Sequence, residues 1–345
     1  MTVNALKSKM NGSASLKEIL SNHAIHVVLI ALLLVVIIIE PSFLSLTNFT
    51  NILSQSATRI IIALAAGMVL IIRGVDLSAG RMIGLAAVIS ASLLQAPDYA
   101  FRMYPNLPEL PIIVPILLVM AICGILGAIT GVAVAVFKVP SFIASLSMML
   151  ILYGMSSVYF DRPPYGAQPI GGLTGEFTRM ATGSFNIFGF KLPYLIVFAA
   201  VVCVVIWVLW NKTKFGKYMY AVGGNPEAAK VSGVNVMRME ILVFAIAGLM
   251  YAFAAVLEVA RIGSASNITG NGYEMDAIAA CVVGGVSLYG GIGRVGGIVI
   301  GVLIFTVINY GLAFIGVNMY FQYIIKGLII LLAVIIDMRK YAKRR

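Results

Sequence analysis

A chain of 345 residues that is 61% hydrophobic and 11% charged, with mean hydropathy +1.02, holds more apolar side chain than one soluble core can bury. That excludes an ordinary globular domain and points to an all-α polytopic membrane protein. The net charge of +11 is scattered over many short polar segments, which argues against a nucleic-acid surface and for membrane-flanking loops.

In chain order, residues 1–23 carry Lys7, Lys9 and Lys17 and lack an apolar stretch ahead of a small-residue cleavage site. They read as a cytoplasmic N-terminal segment and not as a cleaved signal. Ten apolar segments follow, at 24–39, 59–72, 79–95, 112–137, 141–160, 192–210, 240–259, 275–289, 295–315 and 320–337. They approach the roughly 20 residues that a spanning helix needs. The expectation is about ten transmembrane helices in a single domain, 24–338, followed by a basic tail, 339–345. Most Lys and Arg residues fall on one side if the N-terminus is inside, so both termini are expected to be cytoplasmic. The loops 96–111 and 161–191 then face outward. His23 and His26 open the first segment, and a pair with no third ligand reads as a polar collar and not a metal site. Cys123, Cys203 and Cys281 stand singly in apolar runs, which indicates neither a disulfide framework nor metal binding.

The polar residues that interrupt this pattern are the candidate functional residues. Asn51, Gln55 and Asn309 lie in or beside spans. They offer the paired donors and acceptors that a neutral polyol needs, and equally those of interhelical hydrogen bonds. In RGVDLSAGR, 73–81, Asp76 and Ser78 stand where either could cap the third span. A charge at a membrane helix end is a pathway or gating candidate, with Arg73 or Arg81 as its expected partner. Glu274 and Asp276 lie in the glycine-rich stretch 260–297 and lead into a short apolar segment. That stretch is a pathway wall if its backbone is broken, and a helix-packing surface if it is not.

The segment 211–238 is polar and lies between two long apolar runs. Within it, NPEAAKVSG, 225–233, reads as a short capped helix. Asn225 is a good N-cap, Pro226 suits the first helical position, Glu227 sits at the positive dipole end, and Gly233 suits a left-handed residue past the end. About seven residues, or ~10 Å, are not a stable helix alone and need a surface to lie on. That surface is a cytoplasmic partner or the protein's own membrane domain. Ala228 and Ala229 give it a smooth flank. The preceding Gly216-Lys217 is followed by Tyr218, so it is no phosphate loop. No nucleophile motif, metalloprotease motif or catalytic carboxylate pair is present, so no catalytic residue is assigned.

The pattern EAA-x-x-x-G at 227–233 resembles the cytoplasmic loop of ABC-importer membrane subunits. FLSLTNFTNIL (43–53), GVDLSAGR (74–81), the whole of 211–236, YEMDAIAACVVGG (273–285) and FTVINYGL (305–312) resemble the permeases of ribose, xylose and galactose importers. Within that family the likeness is greatest to the galactose and methyl galactoside type, from about Pro41 to the basic tail. The resemblance implies a multi-pass protein of the bacterial inner membrane. It would be paired with a second copy of itself, with a cytoplasmic ATPase below and a periplasmic sugar-binding protein above. It implies no cofactor on this chain, because the partner uses the ATP and magnesium. Cargo would be a monosaccharide, galactose or a methyl galactoside, with ribose or xylose as the alternative within the family. An ion-coupled secondary sugar transporter is the alternative outside it. The family's coupling role carries over onto Glu227, Ala228, Ala229 and Gly233, within a coupling segment that also holds Gly216, Lys217, Asn225 and Pro226. Arg73 and Arg294 depart from the uncharged residues expected in ribose-type relatives.

Overall fold

A computed structural model describes residues 24–162, 166, 168–187 and 190–342. The N-terminal segment 1–23, with His23, and residues 343–345 of the tail lie outside the described residues, as does the side chain of His26. The described residues form thirteen α-helices and one short hairpin. In order these are α1 (Ala24–Ile39), α2 (Leu46–Ile71), α3 (Ala79–Leu93), α4 (Ile113–Ala135), α5 (Ser141–Phe160), α6 (Gly175–Thr182), β1 (Ser184–Ile187), β2 (Phe190–Pro193), α7 (Tyr194–Lys212), α8 (Lys214–Gly224), α9 (Pro226–Val231), α10 (Val236–Ile262), α11 (Tyr273–Val283), α12 (Val295–Phe314) and α13 (Met319–Ala342).

Among the described residues, six helices are long and apolar enough to cross a membrane: α2, α4, α5, α7, α10 and α12. Shorter apolar helices occur at Ile30–Ile39, Ala79–Leu93 and Met319–Leu332. Two of the expected segments are corrected. The second begins at Leu46 and not at Arg59; polar residues on one face of a buried helix had hidden its first half. The eighth is helical only over Tyr273–Val283, 11 residues. That is ~16 Å, about half the roughly 30 Å of a bilayer's hydrocarbon core. Its remainder is a turn with Gly285, Gly290 and Gly291 at positive φ, where an L-residue is strained.

The described residues pack as two units, one of residues 46–306 and one of residues 24–45 with 307–342. In the first, α2 and α10 are central. The most apolar window of α2 is 78% buried, against 22% for α7. The exposed side chains of α4, α5 and α7 are mostly Ile, Val, Leu and Phe, the surface that hydrocarbon rather than water would solvate. Helices α4 and α10 approach closely because glycine lines the contact. Gly127 faces the carbonyl of Phe244, Gly131 the Cα of Ile241, and Gly248 the carbonyl of Cys123. Small residues of this kind let membrane helix backbones meet. In the second unit Phe43 packs against Tyr310 and Phe314, with ring centroids 6.1 and 5.6 Å apart.

Beyond the C-terminal end of α10 the loops knit together. Ile170 and Ala265 exchange backbone hydrogen bonds of 2.8 and 3.0 Å, and Ala96 N–H donates to Gly172 at 2.7 Å. Gln95 donates to the Gly171 carbonyl at 2.9 Å and accepts from Met103 N–H at 2.7 Å. The segments expected as separate loops, 96–111 and 161–191, therefore form one surface. The second of them holds α6 and most of the antiparallel β1–β2 hairpin, which ends at Pro193.

Candidate functional site

The short helix α9 lies just ahead of the N-terminal end of α10. Asn225 Oδ1 accepts from Ala228 N–H at 3.1 Å, and Pro226 fills the first helical position. Past the end, Gly233 has φ +83°, and Val234 N–H reaches back to the Ala229 carbonyl at 3.0 Å. That closing bond is the Schellman arrangement, which satisfies a carbonyl the helix would leave free. Six residues are held at both ends. Ala229 alone is buried; Glu227, Ala228 and Lys230 are open, and Val231 is 90% exposed.

Helix α8 stands between α7 and α9. Gly216 is buried, and a Cβ there would strike the Trp210 carbonyl, so the chain doubles back tightly on the end of α7. Lys217 points outward and is exposed. Tyr220 Oη donates to the Gly293 carbonyl at 2.8 Å. Burial raises the Tyr220 phenol above its ordinary pKa, against an opposing pull from Arg294, so the hydroxyl is protonated and available to donate at neutral pH. Tyr220, Gly284, Gly285, Gly291, Arg294 and Gly297 border a cavity of about 640 Å³.

The acidic candidates gather at two helix breaks. Asp76 is buried in the turn that precedes α3. It caps nothing in the helix, however: its Oδ1 accepts from the backbone N–H and the hydroxyl of Ser78. Ser78 makes no side-chain cap either. The expected pairing of Asp76 with Arg73 or Arg81 is also corrected. Arg73 turns to the carbonyls of Gly223 and Gly224. Arg81 turns to Asn267 and to Asn271 Oδ1, 4.3 Å over the Tyr153 ring. Both guanidiniums are satisfied by carbonyl and amide oxygens instead. Glu274 sits against the first turn of α3, where a Cβ at Gly80 would meet its carboxylate; the positive end of that helix favours a negative group. Asp276 pairs with Arg59 at 2.9 Å.

Arg59 belongs to a network that sequence reasoning missed. Glu258, 2% exposed, accepts from Thr58 at 2.8 Å, from Tyr273 at 2.9 Å and from Arg261 at 2.8 and 3.2 Å. The Arg59 guanidinium lies 4.8 Å over the Tyr273 ring. Helices α2 and α11 are thus joined by the Arg59–Asp276 ion pair, and both are tied to α10 by hydrogen bonds from Thr58 and Tyr273 to Glu258, whose own ion pair with Arg261 lies within α10. The available signal was the spacing of Asn51, Gln55 and Arg59 at four-residue intervals, a polar stripe on a helix face. In the structure Asn51 is exposed and Gln55 half-buried on that face. Asn309 lies in the other unit, half-buried on α12.

The model of the family described as branched-chain amino acid transport system / permease component matches residues 48–334. The galactose/methyl galactoside import permease protein MglC of Haemophilus influenzae is 52% identical over 328 residues, 95% of this chain and 97% of that protein. Its Escherichia coli K12 counterpart is 51% identical, over 94% of this chain and 96% of that protein. The ribose import permease protein RbsC of E. coli K12 is 38% identical, over 91% and 92%. No solved structure matches.

Proposed function

The chain belongs to the branched-chain amino acid transport system / permease component family, and from there we propose that it carries galactose or a methyl galactoside across the bacterial inner membrane in an ATP-driven importer. The observation that favours this cargo over ribose is the identity of 52% and 51% to galactose/methyl galactoside permeases against 38% to a ribose permease, all over nine tenths of the chain. The chain is a multi-pass membrane permease and not itself the ATPase; hydrolysis of ATP, with its magnesium, belongs to a partner.

In this reading both termini are cytoplasmic, about ten segments lie in the bilayer, and two copies of the chain pair. Helix α9 is the docking element for the ATPase, presenting Glu227, Ala228 and Val231. The surface knitted from 95–111, 166–183 and 263–270 receives the sugar-binding protein. Asp76, Ser78, Asn51, Gln55, Glu274, Asp276 and Asn309 remain the pathway and gating candidates. A permease fed by a binding protein gains nothing by holding sugar tightly, since a deep well in the path slows release. Ordinary hydroxyl and amide contacts are enough.

The test is uptake of labelled galactose, ribose and xylose into proteoliposomes holding the permease, its ATPase and its binding protein. ATP-dependent uptake of galactose at least about tenfold over the other two, or 1.4 kcal/mol, supports the proposal. Accumulation by the permease alone on a proton gradient overturns it in favour of the ion-coupled reading. In the same assay Glu227→Arg and Gly233→Val are expected to weaken retention of the ATPase. The first reverses charge at the positive helix end, worth about 0.3–1 kcal/mol. The second forces a β-branched residue to positive φ, costing roughly 1–2 kcal/mol. Normal ATPase retention by both variants would sink the docking role of α9.

A further inference from the structure

We propose that Arg73 is a positioning residue which ties the α8–α9 joint to the end of α2, so that displacement of α9 is passed into the 284–294 turn. The proposal rests on the reading of α9 as the ATPase docking element, and goes beyond it by naming the residue through which the motion travels inward.

A helix of six residues closed by glycine cannot act as a lever unless its root is fixed. Here the root is Gly223 and Gly224, the last two residues of α8, directly before the Asn225 cap. Their carbonyls are among those a helix leaves without internal partners. Arg73 takes both: Nε donates to Gly223 O at 2.7 Å and Nη2 donates to Gly224 O. A guanidinium at a helix C-terminus is also placed well for the dipole, and its planar fork suits two neighbouring acceptors.

The backbone is bent to make this possible. Arg73 has φ +67°, and Lys138 is the one other non-glycine residue with positive φ among the described residues. Arginine in that region is strained, and such strain points to a function when the surroundings hold it in place. They do so here. Gly74 N–H bonds back to the Val69 carbonyl at 2.8 Å, and Arg73 N–H to that of Leu70 at 2.9 Å.

A third segment enters the same knot. Gly291 N–H donates to the Ile71 carbonyl at 2.8 Å. A Cβ at Gly223 would strike that carbonyl, and one at Gly290 would strike the Arg73 side chain. Tyr220 adds its bond to Gly293. The 284–294 turn follows α11 and borders the 640 Å³ cavity. The root of α9, the end of α2 and the turn after α11 therefore share one set of backbone contacts. Arg73 is the charged side chain that spans it. Its outer face is open to solvent, so the tie can loosen and re-form without burying a bare charge.

The experiment uses the assembled complex in proteoliposomes and reads sugar moved per ATP hydrolysed, with ATPase retention and thermal midpoint alongside. Arg73→Ala is expected to keep ATPase retention while sugar per ATP falls about tenfold. Arg73→Lys, which keeps charge but not the fork, is expected to fall between. Hydrogen exchange gives a second readout that needs no alanine variant. Binding of a non-hydrolysable ATP analogue should change exchange in 284–294 in the wild type, and less in Arg73→Lys. Unchanged sugar per ATP in Arg73→Ala overturns the proposal while leaving α9 docking intact. So does loss of ATPase retention in step with transport, because Arg73 would then serve docking alone. A wild-type complex without ATP-driven uptake removes both readings.

Discussion

Glu258→Ala is expected to lower the stability of the detergent-solubilised protein by about 3 kcal/mol, read as a large drop in thermal midpoint and in yield. One carboxylate accepts from three side chains on three different elements: Thr58 on α2, Arg261 on its own helix and Tyr273 on α11. Removing it takes the carboxylate from Arg261 and Tyr273 and leaves Thr58 only its long 3.4 Å bond to the Gln55 carbonyl. Breaking a buried pair costs roughly 3–5 kcal/mol, because the surviving charge is left uncompensated. The lower end applies here, since the Arg261 side chain keeps 27% of its exposure and water screens part of the loss. Glu258→Gln, whose single carbonyl oxygen can still accept from one of Thr58 and Tyr273 while its amide donates to the hydroxyl of the other, should lose less. Glu258→Ala combined with Arg261→Leu should recover part of the alanine loss, because the stranded cation goes too. A double variant no better than the single one would show that the ion pair is not the source of the effect.

Gly127→Val is expected to be nearly as damaging, and for a steric reason. The added Cβ points at the Phe244 carbonyl on α10, with the Ala245 Cα 3.4 Å away. Neither is a side-chain tip that can rotate aside, so two backbones must separate over their whole contact. Overpacking costs about 1–3 kcal/mol in side-chain cores, and a backbone collision sits at the upper end or above. Gly124 is the internal control. There a Cβ meets the Leu249 side chain at 2.9 Å, which can change rotamer. Gly124→Ala should therefore lose well under half as much thermal midpoint as Gly127→Ala in parallel melts. Equal losses would refute packing at Gly127 as the cause.

These two sites mark what could and could not be read from sequence. Helix α9 was legible because everything that shapes it is local: a cap, a proline, an acid and a terminal glycine lie within nine residues. Membrane class was legible from composition. The Glu258 network was not, because Thr58 lies 200 residues from Glu258 and Arg59 lies 217 from Asp276. Hydropathy treats Arg59 as the boundary of a span, while in the structure it lies mid-helix, held by a partner no local window contains. Arg73 was singled out as an unexpected charge and given the wrong partner. An acid three residues away looked more attractive than two carbonyls 150 residues off. The end of the eighth segment was half legible: its glycines left a broken backbone open from sequence, but the place of the break is set by Gly285, whose φ of +84° closes the helix just past Val283.

The Arg59–Asp276 pair also orders events in time. A ribosome adding about 5–20 residues per second reaches Asp276, 217 residues further on, about 10–40 s after Arg59. Throughout that interval α2 carries a mid-helix arginine whose counter-charge has not been synthesised. An arginine at the centre of an isolated spanning helix is costly by roughly 2.5–3.5 kcal/mol on insertion scales. Helix α2, central in the 46–306 unit, is therefore expected to be among the last to be settled in the membrane. Its residence there depends on the arrival of α10 and α11, and a chain truncated before Asp276 should leave α2 poorly held.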